Sequence, residues 1–482
     1  MDLTDRFPNE LWLRVLSHLP SDALRSLSST RRALHALARP LGFTEFKLYP
    51  YPYEYRPPKA QIDDALARLD FWSSSRIAPH VRTCTARYSP QMWQQGSELV
   101  EDGAGAPHVL MNAFFERLPT FEKLQRLYTD RIQFTQTGIA NLCALPALTH
   151  AEFLACTVAA GERIDVEGLG LRVESFITRY DEQMNDLWVS LLSRDTLGKL
   201  DLSDLTAVAK PAAQPFPNVH TLTVTELPPR IGDTLAILTK FPGVRTFSSD
   251  YRAVLRNLTP PQASSIFPFL EEYTGPYENL HIFVQRSTLT HITLDAGYPF
   301  RNLLTELQNV NTLPNITSLT ARFTSSAQAA FGRAELDTLF MMFPRLTALQ
   351  LTIMPDAEED GGFTPQATAL LPTLAASPLL PRTLHSLSLA WDFPFTYGST
   401  DSAQGNDPAP PDSSAIPDFH DMREALVGRC LGLRYIFLDG YHFLFVWWTD
   451  EGWEASAQSF DEAEVLRAQH SERKYGPPVL IS

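Results

Sequence analysis

The chain has 482 residues, 44% of them hydrophobic and 20% charged, and a formal net charge of -15. Its length exceeds one ordinary compact domain, so several domains or a repeat array are expected. The acidic balance argues against a nucleic-acid partner, whose grip rests on Lys and Arg neutralising phosphates, and against an anionic membrane surface.

From the N-terminus, Met1 to Arg6 lacks the apolar run of a secretory leader, and the longest apolar stretch, Phe443 to Trp448, is far below the ~20 residues of a spanning helix. The expected location is the cytoplasm and/or nucleus. Phe7 to Pro20 predicts one short helix, with Pro8 in the first turn and Glu10 near the positive end of the dipole. Leu11, Trp12, Val15, Leu16 and Leu19 follow at helical spacing. Pro20 stops it. Ser21 is the expected N-cap of a second helix bearing Leu24 and Leu27. A third carries Leu34, Leu37 and Leu41 opposite Arg31, Arg32 and Arg39, with Pro40 marking its end. So small a module holds more apolar surface than it can bury by itself. The domain behind it or a partner protein covers the excess; alternatively the helices only cap a repeat array.

The run Phe7-Pro8-x-Glu10-Leu11-x-x-x-Val15-Leu16-x-x-Leu19-Pro20-x-x-x-Leu24-x-x-Leu27, followed by Thr30-Arg31-Arg32 and Leu34-x-x-Leu37-Ala38, resembles the F-box motif in its fungal form. The resemblance spans residues 3–46. Phe7 stands where that family usually has Leu, and Ser28-Ser29-Thr30 replaces its apolar-plus-Cys turn. What the resemblance implies is docking on the Skp-type adaptor of a cullin-RING (SCF-type) ubiquitin ligase, with the cullin scaffold beyond it. By motif position the adaptor-binding residues are Phe7, Pro8, Glu10, Leu11, Val15, Leu16, Leu19, Leu24 and Leu27.

Further along, an apolar-Pro-x-apolar motif recurs at Leu145, Phe216, Phe241, Phe267, Leu313 and Phe343. The anchors Leu148, Val173, Leu197, Val219, Val244 and Leu270 are spaced 25, 24, 22, 25 and 26 apart, inside the 20–29 range of leucine-rich repeats. Further copies start at Leu124, Leu289, Ile316, Leu346, Leu384 and Leu433, and Val81 is read as the first. Stacked parallel strands would bury a core that no single repeat supplies. Each proline, just before its strand, is expected at an entry position that donates no ladder hydrogen bond. The expected fold class is therefore α/β: a short N-terminal helical F-box module followed by an irregular leucine-rich-repeat-like solenoid with a curved parallel sheet. The boundaries expected are 3–46 for the module, 47–78 for a linker, 79–448 for the solenoid with a flexible insertion at 398–417, and 449–482 for a cap and tail. Trp447, Trp448 and Trp453 are expected to close the last open strand.

Signals for chemistry are missing. No H-E-x-x-H, G-x-S-x-G or P-loop occurs. Cys84, Cys143, Cys156 and Cys430 form no Cys-x-x-Cys pair, and the 12 histidines show no metal-ligand spacing. No catalysis, cofactor or metal is expected. Recognition remains, through residues flanking the inward apolar positions: Arg126, Asp130, Glu152, Arg179, Lys199, Asp201, His291, Asp295 and Arg322. Mixed polar groups of this kind suit a protein substrate. The function expected is a substrate-recognition subunit of an SCF-type ligase; the alternative is a non-ligase leucine-rich-repeat protein-interaction scaffold.

Overall fold

The repeating unit is a tight turn, a short strand and a helical return, and its geometry follows from where the apolar residues fall. The structure, a computed structural model, describes residues 9–16, 18–30, 32–53, 55–88, 98–99, 108–180, 184–209, 214–226, 231–250, 255, 258, 264–307, 310, 312–325, 331–355, 363–391, 418–440, 443–450, 452–457 and 459–472. The 398–417 segment lies outside them. The chain divides into two units, Met1–Gly243 and Val244–Ser482.

The first unit opens with α1 (Asn9–Leu16), α2 (Ser21–Ser28) and α3 (Arg32–Gly42). Ser21 is the first helical residue of α2 rather than its cap; Pro20 holds the cap position without a side-chain bond. α3 runs through Pro40, which has no N–H to give the Ala36 carbonyl. Strands β1 (Glu45–Leu48), β2 (Tyr55–Arg56), β3 (Thr83–Arg87), β4 (Glu98–Leu99), β5 (Arg126–Asp130) and β6 (Gln133–Phe134) follow. Then come β7 (His150–Leu154), β8 (Thr157–Val158), β9 (Ser175–Arg179), β10 (Lys199–Asp204) and β11 (Thr221–Glu226). The main sheet is ordered β1-β3-β5-β7-β9-β10-β11, and all its neighbours are parallel. Short side ladders join β2 to β4 and β6 to β8. The array thus begins one repeat before Val81, and the expected 47–78 linker is partly ordered structure. Phe46 and Leu48 of β1 point inward, and α4 (Lys59–Trp72) packs Trp72 on Phe46 at 5.1 Å.

The second unit contains β12 (Thr246–Ser249), β13 (Glu272–Thr274), β14 (His291–Pro299), β15 (Ser318–Ser325), β16 (Ala348–Pro355), β17 (Ser386–Trp391) and β18 (Tyr435–Asp439). These seven are parallel in chain order. β19 (Leu444–Trp448) then adds antiparallel to β18, and β20 (Trp453–Ala457) antiparallel to β19. They occupy the edge that another repeat would fill. A final helix, Phe460–Glu472, brings Ala463 onto Tyr435, Leu444, Val446 and Ala457, with Trp448 and Trp453 against them.

Two hydrogen-bond devices repeat in both units. In the first, the carbonyl of the apolar residue before proline accepts the N–H of the anchor. Val219 donates to Phe216 at 3.4 Å, Leu270 to Phe267 at 3.1 Å and Ile316 to Leu313 at 3.3 Å. Proline is therefore the second residue of a β-turn just ahead of the strand, at the expected entry position. Its fixed φ favours that turn. In the second device, one carbonyl accepts two consecutive N–H groups from the next repeat. Gln125 takes Thr149 and His150, Thr149 takes Glu174 and Ser175, and Thr290 takes Thr317 and Ser318. Each strand is so pinned in register at its first residue, which keeps its inward set facing the core.

Every anchor from Val81 to Leu433 is buried. In the first unit aromatic rings continue this core between strands and helices. Phe134 meets Phe115 at 5.3 Å and Phe153 at 5.2 Å, and Phe153 meets Trp188 at 4.8 Å.

Candidate interaction surfaces

The three N-terminal helices bury Leu16, Leu24 and Ala38 among themselves, with Leu19, Leu27, Leu37 and Leu41 packed around them. Leu11, Leu13 and Val15 remain 48%, 38% and 55% exposed. An eight-residue helix apolar round most of its circumference cannot bury every side in a three-helix module. Leu11 and Val15, four residues apart, form the stripe left outside. Leu16 and Leu24 therefore belong to the module's own core rather than to an outward docking face, while Leu19 and Leu27 are half-buried. Glu10 lies in α1; Phe7 and Pro8 lie outside the described residues. The module joins the repeats through packed rings: Phe43 meets Phe71 at 5.9 Å and Trp72 at 5.4 Å.

The second surface is the outward face of the strands. Parallel register aligns Thr83, Arg126, His150, Ser175, Lys199 and Thr221 in one row. A second row holds Thr85, Tyr128, Glu152, Ile177, Asp201 and Thr223, and a third Arg87, Asp130, Leu154 and Arg179. Arg126, Asp130, Glu152, Arg179, Lys199 and Asp201, far apart in sequence, are thereby brought onto one sheet face. In the second unit His291 and Asp295 lie on β14 and Arg322 on β15.

Asp201 departs from expectation. It is only 3% exposed, and Arg179 grips it with two bonds, Nη2 to Oδ2 at 2.5 Å and Nε to Oδ1 at 3.4 Å. A buried carboxylate needs such a partner. Neither residue is then free for a ligand in the way two solvated side chains would be. The bond to Asp201, with the nearby charges of Asp201 and Glu152, holds the Arg179 guanidinium protonated above its usual range.

Two features escaped sequence reasoning. Arg131, Ala155 and Tyr180 each follow the last residue of a strand and share a left-handed backbone, with φ of 56°, 49° and 65°. The Arg131 N–H reaches the Leu154 carbonyl and the Ala155 N–H that of Arg179, both at 2.8 Å. Tyr180 stands 82% exposed there. No glycine or asparagine at these positions signals the conformation. The other feature is buried His108, stacked on Tyr51 at 3.7 Å between ring centroids. The Met111 N–H can only donate, so Nδ1 accepts it at 3.2 Å, and Nε2 carries the proton given to the Tyr51 carbonyl at 3.0 Å. Burial pushes its pKa down to about 4.

Among the described residues, no group of three His, Cys, Asp or Glu is placed to hold a metal ion, and no helix is long and apolar enough to cross a membrane. Burial pushes the Cys84 thiol up and that of Cys143 up to about 11. Buried Cys156 turns Sγ to the Leu154 carbonyl at 3.3 Å.

No family model matches this chain, and no curated protein matches it. Among the solved structures it is similar to is a TLR13–ssRNA13 complex, at 14% identity over 66% of this chain and 41% of that chain, with a TM-score of 0.30. This chain thus spans less than half of that one, and so loose a superposition carries no weight for ligand or function.

Proposed function

We propose that the chain is a protein-interaction subunit built on leucine-rich-repeat-like strands, and that its N-terminal helices make it the substrate receptor of an SCF-type ubiquitin ligase. The helices dock on a Skp-type adaptor and, through it, on the cullin scaffold; a protein substrate lies on the outward strand face. Such a subunit works in the cytoplasm or nucleus. The observation that supports this reading is the exposed stripe Leu11, Leu13 and Val15 on α1, within a segment whose pattern resembles the F-box. Covering one such side chain fully contributes roughly 1.5–3 kcal/mol. A partner that covers the stripe therefore gains appreciable affinity from α1 alone.

A second reading, a non-ligase scaffold whose helices only cap the array, draws on the ring contacts that seat α3 beside α4. Val15→Glu and Leu16→Asp separate the two. Val15→Glu is expected to abolish pull-down of the Skp-type adaptor, leaving the circular dichroism melt unchanged. Leu16→Asp, which puts a charge in the module's core, is expected to melt the helices. Undiminished adaptor capture by folded Val15→Glu protein would take the docking face off the α1 stripe, and no capture by the native chain would leave the scaffold reading standing.

A further inference from the structure

We propose that the outward strand face of the first unit binds an extended segment rich in Asp and Glu on the protein it receives. This rests on the reading that partners lie on the strands, but not on the ligase assignment. The argument is one of charge left over after internal pairing. Asp201 is committed to Arg179. Asp130 lies 3.8 Å from Arg131, just past the strand end. Glu45 of β1, in the same row as Arg126, is taken up by Lys47 at 3.2 Å. Arg87, Arg126 and Lys199 then remain exposed on the face with no ion pair among the described residues, against Glu152 in the middle row. Glu152 in turn sits in the field of Arg179. A chain of net charge -15 therefore carries a locally cationic row on this face.

The spacing selects the shape of the occupant. Arg126 and Lys199 start β5 and β10, and β7 and β9 lie between them. At ~4.8 Å per strand the two cations are roughly 14 Å apart, the span of about four or five extended residues. His150 falls between them in the same row, its Nδ1 2.8 Å from the Thr149 hydroxyl. That hydroxyl also reaches the Gln125 carbonyl at 3.1 Å. With its one hydrogen given to the carbonyl, it accepts from Nδ1. The ring is thus oriented before any partner arrives. A segment crossing the strands can place a carboxylate at each end of the row.

The test is fluorescence anisotropy of the full chain with a short labelled peptide of alternating Glu and Ser. Parallel measurements use peptides with Gln, or with phosphoserine and Gln, in place of Glu. The Glu peptide is expected to bind and the Gln peptide not. Combined Arg126→Glu and Lys199→Glu should weaken binding roughly tenfold, since two exposed pairs are lost. Arg345→Glu, on a turn of the second unit, should change nothing. Added salt should weaken binding, because the local row governs it; if the overall negative charge governed, salt would strengthen it. Several results would overturn the proposal: no peptide binding, equal binding of the Gln peptide, binding confined to the phosphorylated peptide, or an unaltered double reversal. Adaptor capture is read separately, so its loss in Val15→Glu leaves this result untouched, and the converse holds.

Discussion

The two units use the same strand-and-turn grammar and present different chemistry with it. At the middle outward position the first unit shows Lys47, Thr85, Tyr128, Glu152, Ile177, Asp201 and Thr223. The second shows Thr274, Thr293, Thr320, Gln350, Ser388 and Phe437, with no charge at all. The inward positions and the two-donor carbonyls are alike in both. A parallel sheet demands apolar residues only where it packs and backbone pairing only at its ladder. Outward side chains are free of both demands, so partner chemistry can differ between units while the fold does not. Charge in the first unit is moreover layered: part of it is structural, locked in the Arg179–Asp201 pair, and part is left to solvent.

The largest effect that would sharpen this contrast is the loss of that pair. Arg179→Ala strands a buried carboxylate and is expected to cost about 3–5 kcal/mol. Its counterpart in the second unit, Arg467→Ala, removes the partner of Asp439, whose side chain is 18% exposed where that of Asp201 is 5%, with Nη2 to Oδ1 at 2.6 Å. That loss should cost less, roughly 1.5–3 kcal/mol, because the carboxylate left behind keeps more water. Urea unfolding of both variants checks the difference; equal costs would mean that burial of the carboxylate does not set the penalty.

Acid should reach the first unit through His108. Its folded pKa, about 4, lies below the ordinary value near 6.5 of an unfolded histidine. The unfolded chain therefore takes up the proton first as pH falls. The neutral ring's contribution is whole above ~6.5, shrinks through the interval down to about 4, and amounts to about 3 kcal/mol in all. Stability measured by urea at a series of pH values should decline over that window. His108→Gln should flatten the decline; an unchanged slope would refute the role given to this ring.

The smallest effect expected is at Tyr180. Replacing it by glycine removes a left-handed backbone cost of roughly 1–2 kcal/mol, against about 0.5–1 kcal/mol of added chain entropy. A net gain of about 0.5 kcal/mol in the urea midpoint is expected. A loss instead would mean that this exposed ring supports the fold, and that the first unit's strand ends are held by more than backbone.

Apolar periodicity determined the repeats by itself: anchors from Val81 to Leu433 were legible because burial tolerates no substitute at those positions, and every one is buried. The first repeat was not legible. Phe46 and Leu48 are only two inward residues, and the Pro- and Tyr-rich run behind them reads as a linker. Which side of α1 faces inward could not be read either, since Leu11, Val15, Leu16 and Leu19 are equally apolar and only the packing of α2 and α3 chooses Leu16. The outward candidates were identifiable as a set, because strand alternation places them, but their standing was not. Arg179 and Asp201 lie 22 residues apart, and only parallel register makes one the other's counter-ion. The left-handed residues Arg131, Ala155 and Tyr180 have no sequence mark at all; at Arg131 and Ala155 the conformation turns the N–H onto a carbonyl at the end of the next strand. Local pattern settles what must be buried, whereas pairing between distant residues settles which charges remain for a partner.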